Sequence, residues 1–315
     1  MKKLLSLMLV FLLGLTLISC EKEDINLKIM TPLGSPALAQ TYMESTLPSL
    51  GEHVTYEIDV VVGTDPLVAA FGSGTHDIIY APTNLGAKLI STGVEYKFAA
   101  TVVWGNLYLV TTGLDTFTLD DLEGKEIVVF GKNATPDIVL QSVIDSHTYT
   151  TPPTYRYVDS ANTAQGELLQ DPSIIILIAE PLLSVLALPT KIGEMNVIDL
   201  QTEWATLTGN TSYPQAGIFV KSSLDEDVVN DYLAQIALSV EETTTNTAGV
   251  AQMAVDLEYG LPVSVLTGAI PRSNLMYKNA VDSREALEIY FNYILEFNGA
   301  LIGGTLPGDD FYFGE

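Results

Sequence analysis

The chain has 315 residues, of which 39 are Asp or Glu and only 14 are Lys or Arg, a formal charge of −25. So acidic a surface repels phosphate backbones and anionic headgroups, which argues against nucleic-acid binding and against membrane contact driven by charge. Apolar residues make up 47% and charged ones 17%, the balance of a globular protein rather than a disordered one.

Met1-Lys2-Lys3 opens a run that is apolar from Leu4 to Ile18, reaches Ser19-Cys20 and continues as Glu21-Lys22-Glu23-Asp24. A basic start, a short apolar stretch and a small-residue end predict a secretory signal over residues 1–19, too short for a membrane span of about 20 residues. Leu17-Ile18-Ser19-Cys20 resembles the bacterial lipobox. That resemblance implies cleavage before Cys20, diacylation of Cys20, and an extracytoplasmic chain tethered through residues 20–26. Loss of Lys2 and Lys3 would leave 12 basic against 39 acidic residues, a formal charge of −27. Cys20 is the one cysteine, so the mature chain would hold no disulfide, no thiol nucleophile and no Cys-bound zinc.

Strand-like and helix-like runs then alternate, the pattern of an α/β protein with mainly parallel sheets. Leu27 to Met30 reads as a strand, Thr31 to Pro36 as a turn and Ala37 to Leu47 as a helix. Tyr56 to Val62 is a strand, with Thr64 and Asp65 placed to cap a helix that begins at Pro66. His76 to Ala81 is another strand; Pro82-Thr83-Asn84 opens the helix Leu85 to Leu89, and Phe98 to Val103 is a strand ending at Trp104-Gly105-Asn106.

Leu107 to Thr112 reads as a crossing, followed by a helical signal at Leu119 to Leu122. A second set comprises the strand Glu126 to Phe130, the helix Ile138 to Ile144, the strand Thr154 to Val158, the helix Ala161 to Leu169 and the strand Ile174 to Ala179. Glu180-Pro181 opens a further helix, and a Gly/Thr/Asn-rich stretch runs from Thr206 to Pro214. Gly217 to Val220 reads as the return crossing, before helices over Glu226 to Val240, Thr243 to Glu258 and Ser283 to Phe297. The tail from Gly303 to Glu315, rich in Gly and Asp, is expected to pack loosely. Two lobes follow, one from residues 27–110 with 217–315 and the other, inserted, from 111–216.

Four segments, in this order and spacing, carry a resemblance to a known family: Thr31-Pro32-Leu33-Gly34-Ser35-Pro36-Ala37, Asp120 with Leu122-Glu123-Gly124-Lys125, Asn133-Ala134-Thr135-Pro136-Asp137, and Ala179-Glu180-Pro181. Over nearly the whole mature chain, the sequence resembles the substrate-binding lipoproteins of ABC importers with the type II periplasmic-binding-protein fold. It is most similar to the branch that binds sulfonate, nitrate, taurine and pyrimidine precursors of thiamine. The resemblance implies two α/β lobes joined by two hinge crossings, a solute cleft between them, permease and ATPase subunits as partners, a monomer, and no cofactor or metal. It places the site in loops at the carboxyl ends of the strands, where helix N-termini aim unpaired N–H groups into the cleft.

Within those loops, Gly34 and Ser35 precede a helix that Ser35 either caps or leaves free for a ligand. Thr64 and Asp65 have the same two roles, with capping favoured. Thr83 and Asn84 supply polar groups, Asn84 both donating and accepting. Trp104 is placed to stack on a ligand ring or to fill the core, with Asn106 beside it. Asn133, Thr135 and Asp137 surround a helix start, Thr135 being the best contact from the second lobe. Glu180, after an apolar strand, either caps the next helix or binds a ligand bearing N–H donors or positive charge, and Tyr213 closes over it. Arg272 suits a carboxylate, sulfonate or phosphate, although an ion pair is the more common fate of such a residue, as of Lys132 and Arg156.

An enzyme is the rival reading. There is no Gly-x-Ser-x-Gly elbow, and His53, His76 and His147 share no motif spacing. Fungal pyrimidine-forming relatives are its one positive support, and their His- and Cys-rich chemistry has no counterpart here. A surface lipoprotein that senses its ligand without transporting it is a third reading. Scarcity of basic residues near the loops, together with Trp104, Glu180 and the Asn and Thr side chains, favours a small neutral or cationic nitrogen heterocycle over a strongly anionic solute.

Overall fold

A computed structural model describes residues 24–314 except 113, 115 and 211; Cys20 and the signal lie outside the described residues. In chain order the elements are β1 (Ile25–Pro32), α1 (Ser35–Thr46), β2 (Val54–Val61), α2 (Asp65–Ser73), β3 (Ile78–Pro82), α3 (Thr83–Ile90) and β4 (Tyr96–Val103). The chain continues with β5 (Leu107–Thr111), β6 (Glu126–Phe130), α4 (Thr135–Ser146), β7 (Thr154–Val158), α5 (Ala161–Gln170), β8 (Ile175–Ala179), α6 (Leu182–Leu186), β9 (Asn196–Asp199) and α7 (Leu200–Thr208). It ends with β10 (Ala216–Lys221), α8 (Glu226–Thr245), α9 (Thr247–Asp256), α10 (Val263–Arg272), β11 (Leu275–Asn279) and α11 (Ala280–Asn298).

The strands form two sheets, ordered β11-β4-β10-β3-β1-β2 and β7-β6-β8-β5-β9. Side-chain pattern follows position. The outermost strand β2 alternates between half-buried and exposed residues, whereas the interior strands β3, β5 and β10 are buried almost throughout, as strands covered on both faces must be. Both sheets are mixed rather than mainly parallel. β1 runs parallel to β2 and β3, and β6 to β7 and β8, but β10 is antiparallel to β3 and β4, and β5 to β8 and β9. β11 is antiparallel to β4 as well, but β5 and β10 are the strands at which the chain changes sheet. β5 belongs to the second sheet and β10 to the first, so the crossings fall just before them, at residues 104–106 and 209–215, and not on the strands themselves.

One face of the first sheet packs Leu27, Ile29, Leu38, Met43, Tyr232 and Ile236 under α1 and α8. The other face gathers Phe71, Phe98, Phe219, Tyr290 and Phe291, and this core runs on without a break into Leu109, Ile127, Ile138 and Trp204 of the second lobe. The C-terminal tail is anchored to that core, contrary to the expectation from its composition. Phe311 stacks on Phe98 at 5.6 Å between ring centres, Tyr312 is buried, and the Phe313 N–H donates to the Phe98 carbonyl at 2.8 Å. α8 also runs further than its sequence suggests, breaking only at Asn246. None of the described helices is long and apolar enough to cross a membrane.

Candidate functional site

The lobes meet along a seam that two groups of side chains line, both of them in contact with the crossings. The first group starts at Gly34, whose φ of 123° belongs to glycine and lets the chain turn sharply out of β1 into α1. Ser35, 2% exposed, is thereby set into the seam. Its hydroxyl donates to Ser273 Oγ at 3.0 Å, and that hydroxyl in turn donates to the Ala269 carbonyl at 3.0 Å. Asn106, in the outgoing crossing, donates through Nδ2 to Ser35 Oγ at 2.9 Å and to the Glu180 carbonyl at 3.4 Å. Its Oδ1 accepts from Gln215 Nε2 at 2.8 Å, and its backbone carbonyl accepts from the Glu180 N–H at 3.1 Å. Asn106 therefore ties both crossings to the start of α1 and to the end of β8.

Glu180 lies at that strand end, with a cis peptide to Pro181 and a fully buried side chain. Arg272 Nε donates to its Oε1 at 2.7 Å; Ser184 donates to Oε2 through its N–H at 3.1 Å and to Oε1 through its hydroxyl at 3.0 Å. Burial raises the carboxyl above the usual carboxylate range, opposed by the Arg272 guanidinium and by Ser184. Arg272, from the end of α10, also donates to Ser184 Oγ at 3.0 Å, and its carbonyl accepts from the Tyr108 hydroxyl at 2.7 Å. Glu180 thus accepts from the N–H of Ser184 in the first turn of α6, and Arg272 is paired with it across the lobes.

The second group is mainly aromatic. Thr135, at the start of α4, donates to Asn84 Oδ1 at 3.2 Å and accepts from the Tyr290 hydroxyl at 2.9 Å, so α3 and α11 of the first lobe grip α4 of the second. Trp204 packs against Tyr213 at 5.5 Å, Tyr290 at 5.8 Å and Tyr293 at 4.8 Å between ring centres. Tyr213 donates to Gln201 Oε1 at 2.7 Å, which also accepts from the Leu107 N–H at 2.8 Å. Gly105 is required at this crossing, since a Cβ there would come within 2.5 Å of Gln201 and 2.7 Å of Tyr213. Thr83 donates to the Pro214 carbonyl at 2.6 Å through its hydroxyl and to the Gln215 carbonyl at 3.1 Å through its N–H.

Trp104 is buried, with its indole N–H donating to the Met276 carbonyl at 2.9 Å and Lys278 Nζ 4.7 Å from the ring centre. It borders a cavity of about 370 Å³ that Asp199, Thr202, Ser212 and Asn274 also line. Thr64, Asp65 and Asn133 are exposed. Thr64 precedes α2 without a side-chain capping bond, contrary to expectation; its φ of −98° and ψ of −19° are already helical, whereas side-chain caps sit on extended backbone. Asn133 has a φ of 57°, and its N–H donates to Asp137 Oδ2 at 2.8 Å. Among the described residues no group of three or more His, Cys, Asp and Glu is arranged to hold a metal.

Gln215, Gln201, Ser184, Ser273 and Tyr290 escape sequence reasoning. Gln215 follows a loop-like stretch, and Tyr290 sits in a helix whose aromatics look like core. The pairing of Ser35 with Ser273 spans 238 positions and leaves no local signal.

In comparison with known proteins, residues 108–294 match a family model described as menaquinone biosynthesis. No curated protein matches the chain significantly in sequence. Solved structures do match. An ABC transporter protein from Parabacteroides distasonis superposes with a TM-score of 0.80 at 19% identity, covering 93% of this chain and 100% of that one. The zinc-bound ligand-binding component of an ABC-type import system from Staphylococcus aureus gives 0.68 at 15%, covering 92% and 96%. The periplasmic aliphatic sulphonate binding protein of Escherichia coli gives 0.66 at 16%, covering 86% of each chain. At these identities the likeness is one of fold, the two-lobed periplasmic-binding-protein fold of importer subunits.

Proposed function

The chain belongs to the menaquinone-biosynthesis family, and from that premise and its fold we propose that it is an extracytoplasmic solute-binding protein that captures a small solute between its lobes and presents it to an ABC importer permease. The observation that carries this reading is the seam itself. Ser35, Asn106, Glu180 and Arg272 come from both lobes and a crossing, yet they meet through hydrogen bonds of 2.7–3.4 Å. The neutral ones exchange for water at a net cost of about 1 kcal/mol each and the charged Arg272–Glu180 bond at about 2 kcal/mol, so the seam opens to admit a solute and re-forms over it. Cys20, acylated, would hold the protein at the outer face of the membrane as a monomer, since its charge gives it no other hold there.

Mass spectrometry of the protein incubated with sulfonates, nitrate, pyrimidines and amino acids tests the reading. One solute should bind one per chain, raise the melting temperature and be recovered unaltered. Cys20→Ser should move the protein from the membrane to the soluble fraction of the producing cell; retention at the membrane would refute the anchor.

The family's biosynthetic description favours a second reading, in which the buried Glu180 carboxyl acts on a bound compound. Recovery of a chemically changed compound, lost in Glu180→Gln, would decide for it.

A further inference from the structure

Gln215 lies where the return crossing enters β10, and a chain of hydrogen bonds fixes which way its amide points. Backbone carbonyls only accept. The Ala269 carbonyl therefore commits the hydrogen of Ser273, so the Ser35 hydroxyl must donate to Ser273, and Ser35 Oγ in turn accepts from Asn106. The Glu180 carbonyl, 3.4 Å from the same nitrogen of Asn106, demands the same orientation. Asn106 Oδ1 then faces Gln215, and only an N–H can meet it, as Nε2 does at 2.8 Å. Two independent anchors thus turn Gln215 Oε1 away from Asn106, and there it is covered from solvent with no hydrogen-bond partner among the described residues.

The nearest hydroxyls of the seam have their hydrogens committed elsewhere, Thr83 donating to Pro214 and Tyr213 to Gln201, and Arg272 is turned to Glu180 and Ser184. The backbone of Gln215 is satisfied too, its N–H on the Val103 carbonyl at 2.9 Å and its carbonyl receiving the Thr83 N–H at 3.1 Å. A buried amide carbonyl without a donor is unfavourable by as much as a lost hydrogen bond, and a donor supplied from outside the chain removes that penalty. Resting on the solute-binding reading above, we propose that Gln215 Oε1 is an acceptor for the bound solute, which therefore presents an N–H or O–H group, as an amide, urea, aminopyrimidine or hydroxyl compound does, rather than being a bare oxyanion. Charge agrees, because Arg272 is already paired with Glu180 and the whole chain carries a formal −25.

Calorimetric titration tests this with two panels, one of uncharged N–H and O–H donors such as uracil and aminopyrimidines, the other of ethanesulfonate, nitrate and sulfate. At least one donor compound should bind and no oxyanion should. Gln215→Met should weaken that donor compound by about tenfold or more. Methylating the recognised N–H or O–H of the compound should weaken it equally for the unaltered protein, a measurement that needs no variant. Binding by oxyanions alone, or methylated analogues that bind as tightly as their parents, would overturn the inference and leave the solute-binding reading standing. So would a Gln215→Met protein that melts lower yet binds unchanged, since Gln215 would then be purely structural. Absence of binding from both panels, with no compaction on mixing, would remove both readings together.

Discussion

The two flanks of the seam are made of different materials. On one, Ser35, Asn106, Glu180, Ser184 and Arg272 meet through directional bonds and one buried ion pair. On the other, Trp204, Tyr213, Tyr290 and Tyr293 meet through ring contacts of 4.8–5.8 Å, with the Tyr290–Thr135–Asn84 bonds at the edge. Apolar contact loses free energy in proportion to the area re-exposed to water, whereas neutral hydrogen bonds are largely replaced by bonds to water. If the chain captures a solute as proposed, the difference assigns the flanks separate work: the aromatic one would hold the lobes and their crossings as one body, and the polar one would open and read the solute.

The largest expected effect follows from removing the centre of the aromatic flank. Trp204→Ala should destabilise the protein by about 3–5 kcal/mol in urea unfolding, the usual range for a buried aromatic. A loss below about 1 kcal/mol would show that the rings do not hold the lobes together.

Arg272→Ala should cost less, about 2 kcal/mol at neutral pH, because the guanidinium is 42% exposed whereas breaking a fully buried pair costs about 3–5 kcal/mol. Its effect depends on pH with a definite sign. Burial holds the Glu180 carboxyl above its ordinary value, so the folded chain keeps a proton that the unfolded chain has already lost. The contribution of this group is full below the unfolded pKa of about 4.3 and falls as pH rises through that value towards the raised one. Arg272→Ala removes the group that opposes the shift, so the variant should lose stability more steeply than the parent over this interval. A pH-independent difference in urea midpoint would contradict the pairing.

Tyr290→Phe should be the mildest, about 1 kcal/mol, since it deletes one hydrogen bond and keeps the ring. Thr135 still reaches Asn84 in that variant, so solute affinity should hardly change; a tenfold loss would mean that the aromatic edge reads the solute as well.

Much of this architecture is legible in the sequence. Ile78 to Ala81, Phe98 to Val103 and Gly217 to Val220 announce central strands because burial on both faces demands unbroken apolar runs. β9 has only four residues, α7 is rich in the weak helix formers Thr202, Thr206 and Thr208, and α10 carries Gly268 and Pro271, so none of them has a clear local signal. Ser35, Asn106, Glu180 and Arg272 stand out as candidates from their places at strand and helix ends. Their mutual bonds do not, because each joins positions 71 to 92 residues apart, and the orientation of Gln215 depends on two distant backbone carbonyls. The C-terminal aromatics mislead in the opposite direction, since glycine-rich composition conceals Phe311 stacking on Phe98.

Closure of the lobes over a solute is the central event of the proposed capture. Thr64 and Asn133 are exposed, lie on opposite lobes, and are open to selective labelling in a chain whose one cysteine is Cys20. Single-molecule energy transfer between dyes at Thr64→Cys and Asn133→Cys, with Cys20→Ser, should rise when a bound solute is added and fall back when it is washed out. Transfer that stays the same while the solute is demonstrably bound would contradict a cleft that shuts on its guest.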